Sequence, residues 1–196
     1  MQIPIFPLNG AILFPKTNLP LNIFEERYID MINYSLSKDR FIGMVQQKEN
    51  TELYNVGCYG KITVFNETPD KRYLINLEGI SCFNITKEIK TRHKFRICEI
   101  KIFDSFGDPD LQNDLKSKIL DSFKKYNKLK NINLNLSDIS KLNIVDLLKL
   151  IVMVSPFDDS VKQMFLELKS NKELYKNILS TLEIELASNQ EPASIN

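Results

Sequence analysis

The sequence predicts an α+β fold, a β-rich first lobe with one inserted helix followed by a helical bundle. Three observations carry this reading. As far as Phe103 the apolar side chains fall mostly in short continuous or alternating runs, the pattern of strands. One stretch breaks it, where Phe24, Tyr28, Met31 and Ile32 stand at i, i+4, i+7 and i+8, one face of a helix from about Phe24 to Leu36. Beyond Gly107 and Pro109 the spacing is helical throughout. Strands first and helices second, without strict alternation, argue against a doubly wound sheet.

Taken in order, Ile3 to Leu8 is apolar but carries Pro4 and Pro7, which suits an edge strand or an extended crossing. Phe41 to Val45 reads as a short buried strand. Lys61 to Phe65 alternates, and Asn66-Glu67-Thr68-Pro69-Asp70 reads as a turn into Tyr73 to Leu77, a hairpin. Ile80 to Ile85 and Phe95 to Phe103 complete the strands, with Cys98, Ile100 and Ile102 alternating against Glu99 and Lys101. In the second half, Leu111, Leu115, Ile119 and Phe123, with Leu120 and Tyr126, define an amphipathic helix with a lysine-rich outer face. Asn131 to Asn135 reads as a loop. Ile144 to Val154 is apolar nearly all round and is predicted to be the buried central helix, stopped by Pro156. Asp158 is placed to cap the next helix, with Val161, Met164, Phe165 and Leu168 inward. Ser170 to Glu173 fits a capping box for the last helix, whose inner face is Leu174, Ile178, Leu182 and Leu186. The predicted division is a β-rich lobe over residues 1–105, a helical lobe over 106–188 and a frayed tail over 189–196. The cleft between the lobes is the expected partner site, since ligands favour such boundaries.

Composition narrows the function. The 196 residues carry a net charge of +1, so no global field draws the chain to nucleic acid or an anionic membrane. An odd number of cysteines, Cys58, Cys82 and Cys98, without close spacing argues for reduced thiols and a cytoplasmic protein. The N-terminus lacks the basic and apolar segments of a signal peptide. The longest apolar run falls well short of the ~20 residues that a membrane span needs. With six glycines and no G-x-x-x-x-G-K-[ST] or G-x-G-x-x-G, no phosphate-cradling loop is present, so nucleotide binding is not expected. His93, the one histidine, sits in a charged turn and reads as a surface residue rather than a general base. The cysteines lack the C-x₂₋₄-C spacing of structural zinc sites, so no metal is expected. The carboxylate pairs Glu25-Glu26 and Asp158-Asp159 are explained by helix ends and ion pairs. Lys116, Lys118, Lys124, Lys125, Lys128 and Lys130 make one helix face basic, a solvated face in preference to a phosphate track. No catalytic constellation emerges, and no cofactor is expected.

Ile3-Pro4-Ile5-Phe6-Pro7-Leu8, Leu13-Phe14-Pro15, Leu19-Pro20-Leu21 and Ile23-Phe24-Glu25-Glu26-Arg27-Tyr28 with Met31, taken as one string, resemble the opening signature of the N-terminal domain of Lon proteases. Phe41 to Val45, Val56 to Gly60, and Arg72-Tyr73-Leu74-Ile75 with Gly79 to Phe83 extend the resemblance, which weakens after Phe103. Two positions depart from the family pattern. Lys71 stands where the family usually has the turn glycine, and Cys82 where it often has arginine. The resemblance implies a PUA-like pseudobarrel followed by a helical bundle, in the short stand-alone bacterial version without ATPase or peptidase. It also implies a non-catalytic module for polypeptide clients, unfolded or degron-bearing, or for a protease or chaperone partner. Its barrel leaves RNA binding as the alternative. Phe14, Pro15, Phe24, Glu25, Arg27 and Tyr28 are its candidate binding residues. Each also has a structural reading: the prolines fix crossings, Phe24, Tyr28 and Met31 face the core, and Glu25 and Arg27 hold the helix to the barrel.

Overall fold

The computed structural model describes every residue except Glu49, 107–110, Gln112, Asn133 and 189–196, with the side chains of Asn113 and Asp114 also left out. Two compact units divide the chain, Met1–Ser105 and Phe106–Asn196. The first holds β1 (Gln2–Pro7), β2 (Asn18–Ile23), α1 (Glu26–Leu36), β3 (Phe41–Val45), β4 (Val56–Glu67), β5 (Tyr73–Ile89) and β6 (Arg96–Phe103). The second holds α2 (Asn113–Leu129), α3 (Leu136–Ile139), α4 (Ile144–Val154), α5 (Asp159–Glu167) and α6 (Asn171–Ser188). This is the α+β arrangement expected. The predicted glycine–proline break and the tail fall on residues outside those described.

The strands run in the order β2-β5-β4-β3-β1-β6, and β6 returns to pair with β5. β5 thus closes a five-stranded barrel with β4, β3, β1 and β6, while β2 lies against its first half, outside the ring. The β1–β3 pair is parallel and the other ladders are antiparallel. Successive residues alternate between two cores, as strand geometry requires. Ile3, Ile5, Val45, Tyr59, Phe83, Cys98 and Ile100 form one. Phe6, Met44, Cys58 and Ile97, their neighbours in sequence, join the other, where Tyr28, Met31 and Ile32 of α1 meet Ile42, Ile62, Ile75 and Leu77. The first core is tight because Phe83 fills space left by two glycines. A Cβ at Gly43 or Gly57 would approach its Cζ to 2.8 or 2.7 Å.

Several elements differ from expectation for identifiable reasons. Tyr73–Leu77 and Ile80–Ile85 are one strand, because Gly79 does not turn the chain. It receives the Phe14–Thr17 turn instead: the Lys16 amide donates to its carbonyl (2.7 Å) and its own amide donates to Thr17 O (2.8 Å). With Lys16 at φ 64°, this is a G1-type bulge built without a glycine at its first position. β2 escapes the sequence pattern because Pro20 sits in its middle, which an edge strand tolerates. α1 begins at Glu26, two residues later than expected, with Glu25 as its N-cap. Phe24 therefore precedes the helix and is exposed rather than core-facing. The β4–β5 turn closes although Lys71 replaces glycine, since Lys71 takes the left-handed conformation itself (φ 64°). Thr68 stabilises it by accepting from the Arg72 amide at 3.1 Å, and Asp70 pairs with Arg72 at 2.8 Å.

In the second unit, α4 covers the predicted range, and Leu147, Leu148, Ile151 and Val152 are fully buried. Asn143 caps it by accepting from the Asp146 amide (2.9 Å). Ile119, Phe123 and Tyr126 of α2 and Leu174, Ile178 and Leu182 of α6 supply buried side chains around it. The Ser170 half of the capping box forms, its Oγ accepting from the Glu173 amide at 3.1 Å, while the Glu173 carboxylate accepts from the amide of Lys169, one residue before the cap, at 3.4 Å. α5 departs from its predicted face. Met164 is exposed, and Lys162, Gln163, Phe165 and Leu166 are buried, so the helix is rotated to seat Phe165 and Leu166 together. Asp158 is its N-cap by position but makes no side-chain cap bond.

Candidate functional site

The six candidate residues separate by burial. Phe14 and Pro15 are buried. Thr17 fastens their turn, its Oγ1 donating to Phe14 O (2.8 Å) and accepting from the Phe14 amide (3.2 Å). The Phe14 carbonyl would lie 2.1 Å from a Cβ at Gly79. In this arrangement the Leu13-Phe14-Pro15 motif anchors the turn to β5 and offers no surface to a partner. Tyr28 is buried too, edge-on to Phe6 with ring centres 4.7 Å apart. Burial raises its hydroxyl pKa, Arg27 opposes that, and Glu25 adds to it. Glu25 and Arg27 form an exposed ion pair at 2.8 Å, and the guanidinium lies 4.5 Å over the Tyr28 ring. Exposed pairs of this kind contribute under ~1 kcal/mol.

Phe24 differs from the rest, with 65% of its surface exposed at the end of β2. The ladder register identifies its neighbours. Asn22 pairs with Leu74, Pro20 with Asn76, and Asn76 with Val64. Paired residues project to one face, so Val64 and Leu74 share the outer face of β2–β5–β4. They are 50% and 43% exposed. Asn76 joins the three strands there, donating to Asn18 Oδ1 and Thr63 Oγ1 at 2.8 Å each. The two rows Pro20–Asn76–Val64 and Asn22–Leu74–Asn66 contain apolar and amide side chains, and Lys61 and Glu78 stand in the next row on the same face. Phe24, Val64 and Leu74 are 10 to 50 residues apart in sequence, so periodicity gave no sign of them.

The edge of β2 has a more limited capacity. The Gly79-to-Thr17 bond sets the phase, so Leu19, Leu21 and Ile23 turn their backbone groups to β5, and Asn18, Pro20 and Asn22 turn theirs outward. Pro20 has no N–H to give, which is how native edges are blunted against strand addition.

Elsewhere the chemistry is sparse. Among the described residues no group of three or more His, Cys, Asp or Glu is placed to hold a metal ion. His93 is exposed and stacks on Phe95, centroids 4.7 Å apart. Cys58, Cys82 and Cys98 are buried thiols. Burial, with Glu88 adding and Arg96 opposing, pushes Cys98 up to about 11. An unfolded cysteine ionises near ~8.5. Between these values the unfolded chain has lost the proton that the folded chain keeps, so rising pH removes stability. Urea midpoints of wild type and Cys98→Ala should therefore converge as pH rises from 8.5 to 11. Parallel curves would show that the thiol is not held neutral.

No helix among the described residues is long and apolar enough to cross a membrane. The chain matches, over residues 2–183, the family described as the ATP-dependent protease La (LON) substrate-binding domain. Its relatives include Lon proteases of Buchnera aphidicola, from subsp. Baizongia pistaciae (23% identical) and subsp. Acyrthosiphon pisum (24%), each aligned over 95% of this chain. The chain spans about a quarter of the length of either, 25%. Among solved structures, a Lon N-terminal domain protein from Xanthomonas campestris superposes with a TM-score of 0.66 at 15% identity, covering 98% of this chain and 99% of that one. The N-terminal domain of Mycobacterium avium complex Lon protease does so at 0.66 and 12% identity, covering 97% and 100%. With the match running through nearly all of both units, the chain belongs to the LON substrate-binding domain family.

Proposed function

We propose that the chain is a non-catalytic module that binds unfolded or degron-bearing polypeptides for proteolysis, through the part of the β2–β5–β4 face that carries Leu74 and Val64, beside Phe24. The observation that carries this is that Leu74 and Val64 share one sheet face with Asn22, Asn66 and Asn76 and that Phe24 follows on the end of β2, each of the three apolar residues 43 to 65% exposed. Apolar side chains brought together in this way bind other apolar groups, and the surrounding asparagines can serve a peptide backbone. The blunted β2 edge makes this face the better platform than strand addition. Family membership supports a substrate-binding role, and the relatives are named as proteases.

RNA binding has less support. Three of the six lysines on and just after α2 are engaged within the chain: Lys116 donates to Ser140 O at 2.8 Å, Lys124 meets Asp121 at 3.1 Å, and Lys130 meets Glu185 at 2.8 Å.

The double variant Phe24→Asp/Leu74→Asp tests the reading. Its affinity for a reduced, carboxymethylated polypeptide should fall at least about tenfold, since exposed anchors of this size dominate interfaces. Its thermal midpoint should stay close to wild type, because neither side chain is buried. Unchanged affinity would remove the face from consideration.

A further inference from the structure

The β4–β5 ladder places Cys58 directly opposite Cys82. Their separation in sequence hides this, and neither the barrel nor the proposed binding face requires it. The kind of pair matters. The Ile85 amide donates to Asn55 O at 2.8 Å, which makes Asn55 and Ile85 a hydrogen-bonded pair. Counting along the register, Gly57 with Phe83 is the next such pair, and Cys58 with Cys82 falls in the narrow, non-hydrogen-bonded position between Gly57–Phe83 and Tyr59–Ser81. In narrow pairs Cα atoms stand ~4.5 Å apart, and the side chains lie side by side on one face. A disulfide spans Cα separations of ~4.4–6.8 Å, so the bond needs no strand to move far.

We propose that Cys58 and Cys82 are a reversible oxidation site that staples β4 to β5. With a peroxide as oxidant, one thiolate attacks the peroxide oxygen, giving a sulfenic acid and releasing water. The second thiol attacks that sulfur, forming the S–S bond and releasing a second water. Two thiols are oxidised and one peroxide is reduced to two waters. The Ser105 hydroxyl, which donates to Cys82 Sγ at 3.0 Å, is a hydrogen-bonding group already placed at the reacting sulfur. Cys98 is the internal contrast. It pairs with Ile3 of β1 and Glu88 of β5, so no thiol stands opposite it. The staple lies under the Phe14–Thr17 turn, because Cys58 Sγ is 3.2 Å from the Cβ position of Gly79.

The folded full chain is treated with hydrogen peroxide, unfolded in the presence of N-ethylmaleimide, and digested without reductant for mass spectrometry. A Cys58–Cys82 linked peptide pair is expected, with Cys98 recovered as its maleimide adduct. In Cys82→Ser the linkage should vanish, and Cys58 should be recovered as sulfenic acid or adduct. The same bond should still form in Cys98→Ser, a variant that leaves the paired strands intact. Recovery of Cys58 and Cys82 as separate adducts, under conditions that fully oxidise dithiothreitol, would overturn the proposal. So would linkage of either one to Cys98.

Discussion

Leu148→Asp will leave the second unit unfolded. Leu148 is fully buried in α4, between Leu147 and the equally buried Ile151 and Val152. An aspartate there must either stay charged in an apolar core or take up a proton. It also loses the contacts of the leucine it replaces. Each route costs several kcal/mol, comparable with the ~5–15 kcal/mol that holds a whole domain together. The expected result is loss of most far-UV helical signal, with the β-rich unit still melting on its own. Ile184→Asp on α6, where the side chain is 66% exposed, should change stability by ~0.5 kcal/mol or less. If Leu148→Asp melts like wild type, α4 is not the centre of this unit.

Gly79→Ala has the largest expected effect in the first unit. Its Cβ would lie 2.1 Å from the Phe14 carbonyl oxygen, an atom of the backbone that cannot rotate aside. To relieve the clash the turn must withdraw, giving up the Lys16 and Thr17 bonds to Gly79 and exposing Phe14. Overpacking of a core costs ~1–3 kcal/mol. With the lost bonds added, a fall of about 10 °C or more in the midpoint of this unit is expected, at ~4–8 °C per kcal/mol. Gly10→Ala is the control. Gly10 has φ +79° but nothing within 4 Å of its Cβ position. Only the conformational cost applies there, roughly 1–2 kcal/mol. Equal losses in the two variants would show that close approach at Gly79 is not what fixes the residue.

The parts of the fold governed by local period were legible in the sequence. Ile144 to Val154 has few polar positions and becomes α4 over that range. Ser170 and Glu173 stand three apart, and Ser170 caps α6 through the Glu173 amide. What was not legible depends on contacts between distant residues. Nothing near Gly79 indicates that residues 16 and 17 will bond to it, so one long strand reads as two. Pro20 conceals β2 because its missing N–H points to the free edge. Phe24 fits the helical spacing of Tyr28 and Met31, yet the helix starts after it, at Glu26. Of the six candidate residues that the opening motif supplied, only Phe24 lies beside the face proposed for binding. Phe14, Pro15 and Tyr28 build the core, while Leu74 and Val64 reach the exposed band only through strand register.

The most direct measurement is photo-cross-linking of a permanently unfolded polypeptide, carrying photoreactive side chains, to the full chain, with the adducts mapped residue by residue. Adducts concentrated on β2, the start of β5 and the facing part of β4, centred on Phe24, Leu74 and Val64, are the expected result. Adducts concentrated on the lysine face of α2, or spread evenly over both units, would contradict a binding face on β2–β5–β4.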